Sequence, residues 1–305
     1  MQPKDSSNTL GRLVRPPHSC KIGNLSAARL SIQMAAIPLQ FTPLRISTLV
    51  TTGHLGTTIN LAKLFDQLKS RLIPIGYPDE GFLKMEHETK MIGQSARDVL
   101  TKRRVSDKTF FNQSTLVIRK RRDEGGIEMK EVNVKLFANG GFQMTGVTSE
   151  EFSRSVLDWL MKECAAFEDS ISEKPLELTK FAVQLLNSDY KMNALAKRAE
   201  LHRILCTQYR LSSTLETTIY QGVNTKYYYN EQSPASRGIC NCPRFCNGQG
   251  DGTAIGLCKR ITIAVFQTGS IIITGARNKR QLDEAYGFMN EVLRAHTAEV
   301  TKQPA

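Results

Sequence analysis

Apolar and β-branched residues are concentrated in Arg45-Ile-Ser-Thr-Leu-Val-Thr-Thr52 and again in Leu178-Thr-Lys-Phe-Ala-Val-Gln-Leu185, which read as two strands. Each run leads into a stretch of helical period, about Asn60–Ser70 and Met192–Gln208. Strand-like runs return at Phe111–Ile118 and Tyr220–Tyr227. Two hairpins follow, Lys135–Gly146 and Ala264–Gly275, each built as strand, glycine turn, strand. An amphipathic helix closes each series. Phe152, Val156, Trp159 and Leu160 mark the first, Glu150 to about Glu168, and Leu282, Ala285, Tyr286, Met289 and Leu293 mark the second, Asn278 to about His296.

The order β-α-β-β-β-α therefore occurs twice, and the copies share a motif. Phe137, Gly140, Thr145 and Gly146 match Phe266, Gly269, Thr274 and Gly275 at one constant spacing. Two such units side by side can share one antiparallel sheet with the helices over a single face. The expectation is an α+β fold whose second sheet face is open to a partner. Repeat one spans 44–170 with an insertion at about 71–108. Repeat two spans 171–297 with an insertion at about 231–258, and 298–305 is a short tail.

Charge sharpens this picture. The 305 residues carry 41 Lys and Arg against 29 Asp and Glu, a formal net charge of +12. Residues 1–45 hold six bases against Asp5 alone, and residues 101–122 hold eight against Asp107 alone. A clustered excess favours a polyanionic partner, because phosphate contacts release condensed counterions together. The first 43 residues have little hydrophobic period and read as a disordered basic tail. No apolar run approaches the ~18–20 residues of a membrane span, so no membrane partner is expected. No apolar stretch follows a basic start, so no secretory signal is expected either.

Four of the seven cysteines fall in the second insertion, as Cys240-x-Cys242-x3-Cys246-x11-Cys258. The segment is rich in glycine and poor in apolar residues, so it cannot build a core of its own. A structural Zn2+ bound by four thiolates would organise it, and two disulfides would do the same. Four cysteine ligands leave no open position, which excludes a catalytic zinc. In the first insertion, His87 between Glu86 and Glu88 lacks a second ligand at metal spacing and reads as a solvated surface group. No phosphate loop, catalytic triad or paired carboxylate appears, so no enzyme is expected. Arg119-Lys-Arg-Arg122 extends the second strand of repeat one to the rim of the sheet, where Arg119, Arg121 and Arg122 are placed to grip phosphates.

The repeat order, Leu186-Asn-Ser-Asp-Tyr190, Gly222-Val-Asn-Thr-Lys-Tyr227, Phe110-Phe-Asn-Gln113 and Phe266-Gln-Thr-Gly-Ser-Ile-Ile-Ile-Thr-Gly-Ala276 resemble the TATA-box-binding protein (TBP) family. The likeness is strongest to the TBP-like factors of large eukaryotic DNA viruses. The resemblance implies a saddle with its helices on the convex face, laying its concave sheet on the minor groove of double-stranded DNA and kinking it with Phe wedges. It further implies transcription initiation factors or RNA polymerase as partners, and a monomer that is internally a pseudo-dimer. It places the chain inside the cell, in a host nucleus or a cytoplasmic viral factory. An alternative is a TBP-fold protein-interaction scaffold in a transcription complex with little or no DNA binding.

By the same resemblance, Phe137 and Phe266 match one pair of wedges, and Phe111 and Tyr220 match the other. Thr145 and Thr274 match threonines that touch base edges, and Val50 and Val183 match apolar contacts of the first strands. The family's central Asn pair falls on Thr48 and Phe181. Lys135 and Gln143 stand where the family is apolar, whereas Ala264 and Ile272 keep that character, so repeat two is expected to carry the more apolar half of the groove face.

Overall fold

The computed structural model describes residues 38–100, 112–123 and 126–302. The basic tail up to residue 37, Lys102, Arg103, Arg104, Lys108 and the expected wedge Phe111 lie outside the described residues.

Repeat one opens with strand β1 (Arg45–His54) and helix α1 (Leu61–Leu68). Next come β2 (Gly81–His87), β3 (Lys90–Gly93) and the short helix α2 (Ala96–Leu100). Strands β4 (Gln113–Arg121), β5 (Met129–Phe137) and β6 (Gly141–Val147) lead into α3 (Glu150–Cys164) and a further turn, α4 (Glu168–Ile171). Repeat two runs β7 (Lys180–Lys191), β8 (Leu195–Ala196), α5 (Arg198–Thr207), β9 (Ser212–Thr214) and β10 (Val223–Tyr229). It ends with β11 (Lys259–Val265), β12 (Ser270–Ala276), α6 (Lys279–Ala295), α7 (Thr297–Val300) and β13 (Thr301–Lys302).

One antiparallel sheet holds eleven strands in the order β3-β2-β4-β5-β6-β1-β7-β12-β11-β10-β9. The two repeats meet at β1 and β7, and on either side the order mirrors itself. Among the described residues, repeat one adds two strands to the expected four in this sheet, β2 and β3, and repeat two adds one, β9. Within the stretch 71–108 read as an insertion, β2 pairs with β4 along its whole length, and β9 takes the same place beside β10.

The shared motif has a local cause. Gly140 and Gly269 sit at φ of 86° and 81° in the hairpin turns, donating their N–H to Phe137 and Phe266. A Cβ on Gly140 would stand 1.9 Å from the Thr57 carbonyl oxygen, and one on Gly269 2.3 Å from that of Ala194. Only glycine fits both demands. Ser149 and Asn278 then cap α3 and α6 by accepting from the N–H groups of Phe152 and Gln281.

The core is one continuous cluster between the sheet and the helices. It takes Leu49 from β1, Leu116 and Ile118 from β4, Val132, Val134 and Leu136 from β5, and Ile261 and Ile263 from β11. These pack against Leu64, Val156, Leu160, Leu205, Leu282 and Met289 of α1, α3, α5 and α6. Two boundaries need correction. The tail expected to run to residue 43 is tied down from Phe41, which bridges to Met192 and packs its ring edge on Tyr190. The C-terminal tail from 298 includes β13, paired with β8.

Candidate nucleic-acid interface and cysteine cluster

Alternation along each strand assigns the residues that look away from the helices. On this open face lie Thr48, Val50 and Thr52 of β1; Val117, Arg119 and Arg121 of β4; Glu131, Asn133, Lys135 and Phe137 of β5; and Gln143 and Thr145 of β6. Repeat two contributes Leu185, Asn187 and Asp189, then Asn224, Lys226 and Tyr228, then Arg260, Thr262 and Ala264, then Ile272 and Thr274.

Phe137 and Phe266 end β5 and β11 on this face, outside the core cluster, in equivalent places. Tyr220 joins Phe266, the ring centroids 5.5 Å apart and the planes nearly edge to face. Gly222 makes room for that pair, since a Cβ there would lie 3.0 Å from the Tyr220 ring and 3.3 Å from that of Phe266. At the other corner, Phe137 lines a cavity of about 500 Å³ with Gly53, Asn112, Ala138, Asn139, Gly141 and Phe142.

The first-strand assignments of the second repeat need correction. Val50 is on the open face, but Val183 packs against the core, and so does Phe181, whose ring lies under the Arg154 guanidinium at 4.1 Å. The register of β1 on β6 and of β7 on β12 makes Leu49 equivalent to Leu186, and Val50 to Asn187. Thr48 therefore corresponds to Leu185 rather than to Phe181.

A row of polar groups crosses the middle of the sheet. Asn187 donates from Nδ2 to Thr48 Oγ1 at 3.0 Å and accepts at Oδ1 from the Thr274 hydroxyl. Thr274 faces Thr262, which accepts from Lys226 Nζ at 3.0 Å. The equivalent row of repeat one is Leu185, Val50, Thr145, Asn133 and Val117, which is more apolar. The next row outward reverses the contrast, with Thr52, Gln143 and Lys135 in repeat one against Asp189, Ile272 and Ala264 in repeat two. The greater apolarity expected of repeat two is confined to that outer row.

The basic strand of repeat one is largely neutralised. Arg119 gives its guanidinium to the carbonyls of Tyr77 and Ile75 and lies 3.9 Å from Glu131, leaving its side chain 12% exposed. Lys120 pairs with Glu80 at 2.7 Å, Arg121 with Asp79 at 3.3 Å, and Arg122 with Glu128 at 3.1 Å. Arg119 is thus not available as a phosphate grip, and Arg121 and Arg122 each already hold a carboxylate. Asp79 and Glu80 come from the segment before β2, forty residues upstream, which no local reading of the basic run reveals. That segment also covers the rim. Ala96 at the start of α2 donates its N–H to Glu131 on the open face, and Lys84 pairs with Asp98 at 3.0 Å. His87 is buried rather than solvated, its Nδ1 2.8 Å from the Ser114 hydroxyl.

The four clustered cysteines meet as expected from their spacing. All four Sγ atoms lie within 4.8 Å of one another. They are free thiols, with Cys242 and Cys258 3.4 Å apart and Cys240 and Cys258 3.8 Å apart, so neither disulfide is formed. Four sulfurs at ~2.3 Å from a tetrahedral ion stand about 3.8 Å apart, and this cage matches that size. The Gly256 N–H points at Cys242 Sγ at 3.1 Å, and Asn230 Nδ2 at Cys258 Sγ at 3.3 Å, donors of the kind that hold a thiolate. Burial pushes the Cys258 thiol up to about 12, whereas the N–H groups of Gly248 and Cys258 lower Cys246 against its own burial.

No family model matches the chain. Its sequence is 29% identical over 208 residues to a TATA-box-binding protein-like protein of Acanthamoeba polyphaga mimivirus, covering 63% of this chain. Over those residues the chain is similar to a TATA-box-binding protein-like protein. The match spans 50% of that relative's own length. Among solved structures, Methanococcus jannaschii TBP aligns at 13% identity with a TM-score of 0.44, over 83% of this chain and 99% of that one. Two repeats on one antiparallel sheet, with the core helices packed on one face, make the fold α+β. No described helix of the chain is long and apolar enough to cross a membrane.

Proposed function

We propose that this TBP-like chain is a non-enzymatic DNA-binding factor of transcription initiation that takes duplex DNA against its open sheet face. The observation that carries the reading is the placement of Phe137 and of the Phe266–Tyr220 pair at equivalent corners of a face that bears no core helix. A minor groove laid across this face meets hydroxyls and amides at its centre, in Thr48, Asn187, Thr145 and Thr274, and aromatic rings at its ends. Base edges of the minor groove offer acceptors to such donors, and a ring entering a base step replaces lost stacking. The helical face is left for transcription proteins or RNA polymerase, and the chain acts as a monomer with internal two-fold pseudo-symmetry. Its site of action is intracellular, a nucleus or a viral factory.

Cys240, Cys242, Cys246 and Cys258 hold a structural Zn2+, which supplies folding energy to a loop without a core. The donor set fits the ion in number, softness and size, and the N–H groups of Gly256 and the Asn230 side chain fit its second shell.

The test is duplex binding and end-to-end FRET of the full chain and of Phe137→Ala/Phe266→Ala across a salt series. Salt-dependent binding with the bend abolished in the variant is expected. An unchanged bend sinks the wedges. The covering of the repeat-one rim by α2 favours a second reading, an interaction scaffold with little DNA affinity. Absence of any salt-dependent duplex binding by the wild type decides for that scaffold.

A further inference from the structure

Among the described residues, the basic run 119–122 of repeat one is paired with carboxylates, whereas the outer strands of repeat two carry cations without acids of their own. In repeat one, Arg119, Lys120, Arg121, Arg122 and Lys84 all face described carboxylates. In repeat two, β10, β11 and β12 contain Lys226, Lys259 and Arg260 and no Asp or Glu at all. The acids nearest this end are engaged with helix-side or loop groups. Glu231 takes Arg280 and the Tyr229 hydroxyl, Glu284 takes the Tyr227 hydroxyl, and Asp251 accepts from Thr253.

The cations are crowded as well as unpaired. Burial lowers the Lys226 pKa, and the Arg260 guanidinium lowers it further. On the open face Arg260 and Lys226 stand close enough for the one to perturb the other, and an anion between them relieves that repulsion.

The cysteine-bound loop is part of the same surface. Gly248 lies against the side chains of Arg260 and Tyr228, a cross-strand pair on the open face, so close that a Cβ on it would stand 2.6 Å and 2.8 Å from them. The Arg260 N–H donates to the Gly248 carbonyl at 2.8 Å, so the loop prolongs the sheet at its outer end. Phe245 is 95% exposed, beside Arg244, which is also exposed. Both belong to the loop that the thiol cluster draws together, since Cys246 follows Phe245 directly and Cys258 stands two residues before Arg260.

We propose that the outer end of repeat two is the phosphate-gripping end of the molecule, with Arg260 and Lys226 on the sheet and Arg244 on the cysteine-bound loop holding the DNA backbone, and Phe245 packing against the duplex beyond the saddle. The proposal rests on the DNA-binding reading and reverses the polarity suggested by the basic run 119–122. It assigns the cysteine insertion a direct contact rather than a purely structural part.

Two double variants of the full chain test it, Arg244→Ala/Arg260→Ala and Arg121→Ala/Arg122→Ala, with duplex affinity measured from low to moderate salt. Removing one Lys or Arg from a phosphate should flatten the log–log salt slope by about 0.9. The first variant is expected to flatten it by about 1.8, and the second by well under about 0.9. Phe245→Ala is expected to shorten the footprint on the repeat-two side, with an unchanged melting temperature. A wild type that binds while Arg244→Ala/Arg260→Ala keeps its full slope overturns the proposal and leaves the DNA reading standing. A wild type with no salt-dependent binding overturns both.

Discussion

The strand that the sequence misplaces shows how far one residue can move a site. From Phe181, a strict two-residue period puts Phe181, Val183, Leu185 and Asn187 on one face. The structure breaks that period at Gln184. Val50 pairs with Leu185 and the adjacent Thr51 pairs with Val183, so one extra residue bulges out of β7. Beyond the bulge the phase flips, and Leu185 and Asn187 share the open face with Ala182 and Gln184, while Phe181 and Val183 join the core with Leu186. A bulge leaves no mark in a run of apolar residues, which is why a strict period puts Val183 on the open face. The hairpins are legible because their turns demand glycine. The faces separate in experiment. Val183→Asp puts a charge against the core and is expected to cost at least about 2 kcal/mol, lowering the melting temperature by roughly 5 °C or more. Leu185→Asp, on the open face, is expected to leave stability within about 0.5 kcal/mol and to weaken DNA binding by repulsion. Equal melting temperatures for the two variants refute the bulged register.

At the scale of elements, the two insertions are held by chemistry of different kinds. The β2–α2 segment is pinned by Asp98. Burial raises its pKa, but the Ser95 hydroxyl, the Ser95 N–H and the Lys84 ammonium outweigh burial and hold it at about 2, from 3.8. A carboxyl depressed in the folded state adds stability that is complete above its unfolded pKa and is lost as pH falls through the folded one. The window is therefore about pH 4 down to about pH 2. With its side chain 19% exposed, Asp98 is worth about 1–2 kcal/mol after screening. Asp98→Asn should melt a few degrees below the wild type at pH 6 and level with it near pH 2. A gap that persists at pH 2 contradicts the assignment.

The cysteine-rich loop would be held by the proposed Zn2+ instead. Chelation is expected to release about one Zn2+ per chain and to raise hydrogen exchange at 240–258 and at Tyr228–Asn230. The β1–β7 seam should stay protected. A chain purified without metal whose loop is equally protected excludes the zinc site. The spacing of the four cysteines makes this cluster readable from sequence, whereas the carboxylates that quench Arg119–Arg122 arrive from another element and are not.

Across the whole molecule, the two repeats are interlocked rather than merely adjacent. The chain entering each repeat crosses to the other before it begins. Thr42 donates its N–H to the Lys191 carbonyl at 2.8 Å, and Thr179 donates to the His54 carbonyl at 2.9 Å. These contacts are equivalent, as are Leu55 to Gly140 at 2.8 Å and Met192 to Gly269 at 3.0 Å. Phe41, on the lead into repeat one, packs under the Arg294 guanidinium of repeat two at 4.9 Å. The β1–β7 pairing, from Arg45 with Asp189 to His54 with Lys180, joins two halves whose core is already continuous. Removing either half would expose a central strand as an edge and strip the other half of its lead-in contacts. Cooperative units follow such shared contacts rather than sequence repeats. Calorimetry at pH 7 with zinc present is therefore expected to show one transition, with calorimetric and van't Hoff enthalpies that agree. Phe41→Ala and a repeat-one core change such as Val156→Ala should each shift that single transition downwards, by roughly 2–4 °C for each kcal/mol of stability removed. Two transitions, each moved by only one of these substitutions, would mean that the repeats fold separately and that the seam does not couple the two ends of the sheet.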